Sequence, residues 1–261
     1  MVVVNLSIQG QYCAGLGDAV MWSWIGQANP EVSFVAGGGV REMLDLFGQK
    51  ISSDSNGAAN PSGAYDRELQ DLGRLPRIHY ICRHLGIPVA TARPMFAPEV
   101  DINPRRIALC PHTNFKARQW PSSYWLDLNW KLRDAGYEPI WQMSHDDPAF
   151  HGRGPSMSWW GGSLVDVARR LASCAMVVGN DSMPAHLAGT IGRPTLALMG
   201  PTKPTVFSHI PDVKCLTAKD VACTGCHFGR PFRVACDFMC ESLARLSPTT
   251  VLEEIAKAVP L

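Results

Sequence analysis

The stretch between residues 174 and 199 constrains the fold more than any other part of this chain. It holds an apolar run, a polar pair, a helical pattern and a second apolar run, at 174–178, Asp181-Ser182, 185–190 and 195–199. Short apolar runs without alternation are typical of buried parallel strands, and a helix that begins at the polar pair connects them. The helix start then lies at the carboxyl edge of a parallel sheet, where unpaired N–H groups and partial positive charge bind phosphate or diphosphate.

The composition limits the class of protein. The chain has 261 residues, 46% of them apolar, and strand-like and helix-like segments alternate, so we expect a globular α/β fold with parallel sheets. A net charge of +1 argues against binding nucleic acid or an anionic membrane by bulk electrostatics. Because no apolar run is long enough to span a membrane and no export signal precedes the nine cysteines, we expect a cytoplasmic protein whose cysteines are thiols or metal ligands.

The segments divide into two predicted domains, 1–103 and 104–261, joined by a proline-rich linker at 87–104. In the first domain we expect strands at 2–8 and 32–36, helices at 19–27, 40–47 and 67–85 with a kink or break at Pro76, and a surface loop at 51–64. In the second we expect strands at 107–110, 138–142, 174–178 and 195–199, and helices at 122–135, 164–172, 185–190 and from Ser247 to Ala258.

The polar pair and the helix after it are the first candidate phosphate site. Asp181 and Ser182 are predicted to cap the helix, and His186 on its own would be an interior packing residue. The functional interpretation adds that Ser182 and the backbone N–H groups from Met183 onward hold a β-phosphate, with His186 one turn along. Fixed donors aimed at a departing diphosphate lower the barrier to its release, and in this arrangement they take the place of a divalent metal.

A polar loop after the strand at 107–110 supplies further candidates. Thr113 and Asn114 are predicted to bond phosphate or sugar, and Arg118 to pair with the diphosphate, because a planar guanidinium binds two phosphate oxygens at once. Lys116 is the second candidate cation, and Thr202 is predicted to line the same cleft. The alternative is an ordinary solvated basic turn.

Four cysteines have spacing suited to a structural metal site. They follow the pattern Cys223-x2-Cys226-x9-Cys236-x3-Cys240, which fits a four-thiolate zinc or iron centre. Reduced or disulfide-paired thiols are the alternative. In neither case do we expect a catalytic role, because a site closed by four cysteines has no open coordination position.

The chain resembles glycosyltransferase family 9, the heptosyltransferase-like enzymes. In the second half the resemblance is specific, and it rests on Gly179-Asn180-Asp181-Ser182, His186-Leu187-Ala188, Gly192-Arg193-Pro194-Thr195, Gly200-Pro201-Thr202-Lys203-Pro204 and Arg118-Gln119-Trp120-Pro121. Near the start, Gly17-Asp18 is similar to the family's glycine–aspartate pair. Where family members have glycine after Asp-Ser, this chain has Met183, which changes the space available to a donor.

The resemblance implies a GT-B architecture, in which two Rossmann-like domains face each other across a cleft. Residues 1–103 would be the acceptor side, and 104–261 the donor side with a cysteine-rich segment at 215–240. It implies an inverting, metal-independent transfer of a heptose-like sugar or other hexose from a nucleoside-diphosphate sugar, with no cofactor needed for the chemistry and zinc or iron as a structural option. The acceptor would be a lipid-linked saccharide, a protein or another macromolecule, and the enzyme would work in the cytoplasm or at the inner membrane surface.

Asp18 is the predicted base of that reaction, taking the proton from the acceptor hydroxyl. The plain alternative is that Asp18 only caps the first helix. For the whole chain the competing class is a non-catalytic nucleotide-binding scaffold with a cysteine–metal knob for a partner. The Gly15-x-Gly17 pair is too weak a signal to indicate a dehydrogenase.

Overall fold

The computed structural model describes residues 2–6, 15–96, 98–142, 150, 158–159, 162–228 and 239–261. The chain forms two compact units. The N-terminal unit consists of Met1–Ala97 with Thr205–Ile210, and the C-terminal unit of Pro98–Pro204 with Pro211–Leu261. The predicted α/β class with parallel sheets is confirmed.

The N-terminal unit is built on two parallel strands, β1 (Val2–Asn5) and β2 (Val32–Val35). Four helices accompany them: α1 (Leu16–Ala28), α2 (Gly38–Leu46), α3 (Ser62–Gln70) and α4 (Arg77–Leu85). Apolar side chains of the strands and of α1 and α4 form one buried cluster around Trp22, Phe34 and Ile81. The edge of Trp22 packs against Phe34, with ring centroids 6.0 Å apart.

The C-terminal unit is built on a six-stranded parallel sheet of order β5-β4-β3-β6-β7-β8. Its strands are β3 (Asn103–Cys110), β4 (Glu138–Gln142), β5 (Ser158–Trp159), β6 (Cys174–Asn180), β7 (Thr195–Met199) and β8 (Val213–Thr217). Its helices are α5 (Ser122–Asp134), α6 (Leu164–Ala172), α7 (Met183–Thr190), α8 (Glu241–Ala244) and α9 (Pro248–Ala258). β3, β6 and β7 are neighbours, and all five residues of β7 are buried.

A row of tryptophans fills the core of the C-terminal unit. Trp120 and Trp125 meet edge to face with centroids 4.9 Å apart, and Trp141 lies 6.5 Å beyond Trp125. Trp120 Nε1 donates to Leu246 O and Trp141 Nε1 to Asn129 Oδ1, whereas the buried Nε1 of Trp125 has no hydrogen-bond partner among the described residues. Trp120 therefore packs in the core.

Several predicted boundaries in the N-terminal unit differ from the structure, whereas the break expected at Pro76 is present. Helix α1 begins at Leu16 instead of residue 19, so Asp18 lies inside its first turn. Helix α3 begins at Ser62, inside the predicted surface loop, because Ala64 and Tyr65 are buried in the core. Pro76 divides the predicted helix at 67–85, since its ring has no N–H to donate and α4 starts directly after it.

In the parts of the chain that the structure describes, the helices are all too short or too polar to cross a membrane.

Candidate functional site

Three loops meet at the carboxyl edge of the six-stranded sheet. β3 delivers the loop that begins at Pro111, β6 delivers Asp181 and Ser182, and β7 delivers the loop at 200–203. Because these strands are adjacent and parallel, their carboxyl ends lie at one edge. Ligands of open α/β sheets bind outside this edge, so the fold itself brings the predicted site residues of this unit to one place.

Asp181 is the centre of the polar cluster at that edge. Its Oδ2 accepts a hydrogen bond from Thr202 Oγ1 at 2.5 Å and lies 3.5 Å from Arg118 Nε. Its Oδ1 lies 3.5 Å from His186 Nε2. Arg118, His186 and Thr202, predicted from separate segments, are therefore gathered by a single carboxylate.

The surroundings of Asp181 keep it ionised. Burial alone would raise the pKa of this carboxyl, which is 4% exposed. Burial is the largest single influence, but the charge of Arg118 and the contacts of His186 and Thr202 together outweigh it, so that the pKa of Asp181 lies well below its usual range. A carboxylate so enclosed positions its neighbours and is poorly placed to contact a ligand itself.

The start of α7 differs in detail from the predicted cap. Ser182 occupies the N-cap position, but its side chain makes no capping bond, and within the described residues its buried hydroxyl has no hydrogen-bond partner. Pro184 has no N–H, and the N–H of Ala185 donates to Ser182 O at 3.1 Å. Of the first three residues of α7, Met183 is therefore the one that can offer an N–H to a phosphate, fewer donors than the sequence predicted.

Asn180 is a site residue to which the sequence reasoning assigned no role. Its Nδ2 donates to Pro111 O at 2.6 Å, and its Oδ1 accepts from the N–H of Trp120 at 3.1 Å. The side chain therefore fixes both ends of the loop that carries Arg118 to the end of β6. Its place in the Gly-Asn-Asp-Ser motif indicated a site residue. Its hydrogen-bond partners lie 60 or more positions away in the sequence, so the motif alone did not show its role.

The remaining predicted donor residues of that loop have different surroundings. Thr113 is buried, and its carbonyl accepts from Gln119 Nε2 at 3.2 Å. Asn114 and Lys116 are exposed. The guanidinium of Arg118 stacks on the ring of Phe115, with its Cζ 5.0 Å from the ring centroid. Arg118 is thus the cation of this loop that the fold holds in place, while ligand contacts of Thr113, Asn114 and Lys116 remain predictions.

Asp18 lies in the N-terminal unit, in the first turn of α1. It is not the N-cap itself: Gly15 is, and the N–H of Gly15 donates to Asp18 Oδ2 at 3.3 Å. The other oxygen, Oδ1, accepts from Tyr65 Oη at 3.1 Å and lies 3.5 Å from Arg77 Nη1. Asp18 thus has a part in capping, as the plain interpretation holds, and its side chain is 18% exposed.

Sequence comparisons agree with these motifs. The sequence model of Glycosyltransferase family 9 (heptosyltransferase) matches residues 162–228, which include β6, α7 and β7. Lipopolysaccharide heptosyltransferase 2 of Escherichia coli K12 is 31% identical over 167 residues, which cover 57% of this chain and 45% of the relative. Lipooligosaccharide heptosyltransferase 2 of Haemophilus influenzae is 30% identical over 118 residues, covering 41% and 34%. The chain is therefore similar in sequence to heptosyltransferases of glycosyltransferase family 9.

Solved structures extend the likeness to nearly the whole of this family 9-like chain. E. coli ADP-heptose lps heptosyltransferase II superposes with a TM-score of 0.62 over 99% of this chain and 98% of that one, at 14% identity. The iron-containing dodecameric glycosyltransferase TibC of enterotoxigenic E. coli gives 0.70 over 98% and 75%, at 16% identity. At such identities the likeness shows the GT-B fold. In sequence, the chain spans less than half the length of the curated relatives it matches.

The cysteines of the family 9-like chain are only partly described. Cys223 and Cys226 lie in a half-buried turn, and Cys240 is buried against Gly200 and Leu243. Cys236 lies outside the described residues, and so does Cys13. Among the residues whose placement is given, no three His, Cys, Asp or Glu side chains form a metal-binding group, so the four-thiolate site stays a prediction. The turn has a structural function: the N–H groups of Gly225 and His227 donate to Gly200 O and Pro201 O, each at 2.8 Å, next to Thr202.

Proposed function

We propose that this protein is an inverting glycosyltransferase that moves a sugar from a nucleoside-diphosphate sugar to an acceptor hydroxyl. The C-terminal unit would hold the donor at the carboxyl edge of its sheet, and Asp18 of the N-terminal unit would act as the general base. The observation that carries the proposal is the Asp181 cluster: one buried carboxylate just before α7 holds Arg118, and the hydroxyl of the next residue, Ser182, has no hydrogen-bond partner among the described residues.

The proposed reaction is a single displacement at the anomeric carbon of the donor sugar. Asp18 takes the proton of the acceptor hydroxyl, whose oxygen forms a bond to the anomeric carbon. The bond from that carbon to the diphosphate oxygen breaks, and the electron pair leaves with the diphosphate. Direct displacement from the opposite side inverts the anomeric configuration. Arg118, Ser182 and the N–H of Met183 would stabilise the charge that develops on the leaving diphosphate, since fixed donors and cations act strongly in a partly buried site.

The donor we propose to test first is an ADP-heptose. Solved heptosyltransferase structures similar in fold contain ADP, ADP-2-deoxy-2-fluoro heptose and ADP-D-beta-D-heptose. Met183, half-buried at the first position of α7, would add bulk beside the diphosphate, so other ADP-sugars are to be tested beside the heptose. For the acceptor we propose a lipid-linked saccharide, a protein or another macromolecule.

The test is a transfer assay on the purified chain with a panel of ADP-, GDP- and UDP-sugars and candidate acceptors, scored by release of nucleoside diphosphate. We expect turnover with at least one donor and the inverted anomer in the product. Asp18→Ala should abolish turnover while donor affinity stays within about twofold, because the base contacts the acceptor. Normal turnover by Asp18→Ala would refute the assignment of the base. Donor binding without turnover by the wild type would favour the scaffold alternative.

A further inference from the structure

A partly buried arginine in the N-terminal unit contacts two carboxylates. Arg77, at the start of α4, donates from Nε to Glu68 Oε2 of α3 at 2.8 Å. Glu68 is 2% exposed, and its other oxygen, Oε1, is buried without a hydrogen-bond partner among the described residues. Burying a carboxylate this far is costly unless a cation offsets it, so the Arg77 contact is what stabilises Glu68 in the fold.

The same guanidinium contacts Asp18 through a different nitrogen. Its Nη1 lies 3.5 Å from Asp18 Oδ1, a longer distance than the one to Glu68. Because Coulomb attraction falls with distance, Glu68 takes the larger share of this cation and Asp18 the smaller. Glu68 thereby limits how strongly Arg77 attracts the carboxylate of Asp18.

Tyr65 fixes the geometry of this arrangement. Its ring lies under the guanidinium, with Arg77 Cζ 5.0 Å from the ring centroid. Its hydroxyl donates to Asp18 Oδ1 at 3.1 Å, and the N–H of Gly15 donates to Oδ2. Both oxygens of Asp18 are therefore oriented, while 18% of its side chain stays exposed to receive a proton.

We propose that Glu68 is a positioning residue for the reaction. It holds Arg77 through Nε, so that the positive charge of Arg77 is shared and does not pair with Asp18 alone. The inference rests on the proposed function, in which Asp18 is the base. A base must retain affinity for a proton, and an undivided contact with an arginine reduces that affinity. Nothing in the motifs that resemble the family involves Glu68 or Arg77.

The arrangement has a consequence for pH dependence. Burial raises the pKa of Glu68, with the charge of Arg77 opposing it and that of Asp18 adding to it. As pH falls, Glu68 is protonated earlier than an ordinary glutamate, and Arg77 then turns wholly to Asp18. The groups that face Asp18 from the packed elements are Tyr65 and Glu68 of α3 and Arg77 of α4, so we expect kcat to fall as Glu68 takes up its proton.

The test compares Glu68→Gln with the exposed control Glu42→Gln on α2, across a pH series. Glu68→Gln should lower kcat about tenfold at neutral pH with donor KM within about twofold, and should lose the part of the acid-side decline of kcat that protonation of Glu68 causes. Glu42→Gln should behave as wild type. Tyr65→Phe should lower kcat yet keep the acid-side decline, since it leaves Glu68 and Arg77 paired. Equal kcat and an equal pH profile in Glu68→Gln and wild type would overturn the inference.

A second readout on the free protein separates this inference from the proposed function and needs no turnover. In an NMR titration of the wild type, the carbon-13 signal of the Asp18 carboxyl and the nitrogen-15 signal of Arg77 Nε should both move as Glu68 is protonated. In Glu68→Gln, neither should move over that pH range. Movement of Arg77 without Asp18 would refute the link while leaving Asp18 as base. Full turnover by Asp18→Asn would refute the proposed function instead, whatever the titration shows.

Discussion

The two units each place an aspartate at the start of a helix and give it an arginine, but they surround that pair differently. In the C-terminal unit, the side chain of Asp181 is 6% exposed and has Arg118, His186 and Thr202 around it. In the N-terminal unit, the side chain of Asp18 is 18% exposed, and its arginine is shared with Glu68.

The contrast separates two uses of one chemical group. A carboxylate that is buried and surrounded by donors is committed to them, so Asp181 serves to hold Arg118 and Thr202 in position. Asp18 is partly exposed and shares its cation with Glu68, and these are the features on which we propose it as the base. The following substitutions test this division of roles, from the largest expected effect to the smallest.

Asp18→Asn should cause the largest loss of activity and little loss of stability. General base catalysis contributes about 10²–10⁴-fold, so kcat should fall about 10³-fold. Because Arg77 keeps Glu68 as its closer partner, the free energy of unfolding should change by less than about 1 kcal/mol. Steady-state kinetics measure the loss of kcat, and urea unfolding of the same preparation measures the loss of stability. A stability loss as large as that of Asp181→Asn would contradict the difference in role between the two aspartates.

Asp181→Asn should do the reverse and cost stability first. Removing one member of a buried ion pair costs roughly 3 kcal/mol, because Arg118 and His186 lose their carboxylate. The pKa of Asp181 is lower in the folded protein than the unfolded value of about 3.9, so its contribution is complete above that value and is lost as pH falls further. Urea unfolding should show a constant difference between wild type and variant from pH 5 to 8 that shrinks below pH 4. A difference that grows on acidification contradicts this account.

Thr202→Val should have an intermediate effect on the stability of the protein and on its affinity for ADP. It keeps the shape of the side chain and removes the hydroxyl that donates to Asp181 Oδ2. The loss of a hydrogen bond to a charged acceptor costs about 1.5–3 kcal/mol of unfolding free energy. The same change at Thr250, whose hydroxyl pairs with Ser247 outside the site, is a control for the swap itself. Thermal unfolding and ADP titration of both variants distinguish the two positions.

Ser182→Ala and Ser247→Ala form a matched pair at two helix starts. Ser247 caps α9, since its Oγ accepts from the N–H of Thr250 at 3.1 Å, and its loss should cost about 1 kcal/mol. Ser182 makes no such bond, so Ser182→Ala should change stability by less than about 0.5 kcal/mol and instead weaken ADP binding about tenfold. Equal stability losses in the two variants would mean that Ser182 is only a cap.

The sequence predicted the four central strands of the C-terminal unit because strong signals separate them, but it did not predict the edge strands β5 and β8 or helix α8. The bounds of β4, α6 and β7 match the predicted ones residue for residue, each being apolar or amphipathic between polar or glycine-containing turns. The start of α1 was placed three residues late, because Gly17 was taken as part of the loop. Helix α2 likewise takes in Gly38 and Gly39, which were expected to form a turn.

The polar networks could be predicted only in part. Asp181, Arg118, His186 and Thr202 were each proposed from motifs, yet nothing in the sequence showed that one carboxylate holds the other three. Tyr65, Glu68 and Arg77 were not proposed at all, because their contacts join separate helices and no local periodicity encodes such pairing. Ion pairs between elements depend on packing, which a single sequence does not display.

The most direct test of the central claim, that the carboxyl edge around Asp181 binds a diphosphate, is calorimetry with ADP, AMP and adenosine. Wild-type protein should bind ADP at least about 100-fold more tightly than adenosine, which corresponds to about 2.7 kcal/mol. Arg118→Lys should reduce the preference for ADP over adenosine at least about tenfold, since lysine cannot bind two phosphate oxygens at once. The control Arg169→Lys, on the exposed face of α6, should leave the preference unchanged. Equal affinity for ADP and adenosine in the wild type would contradict the account.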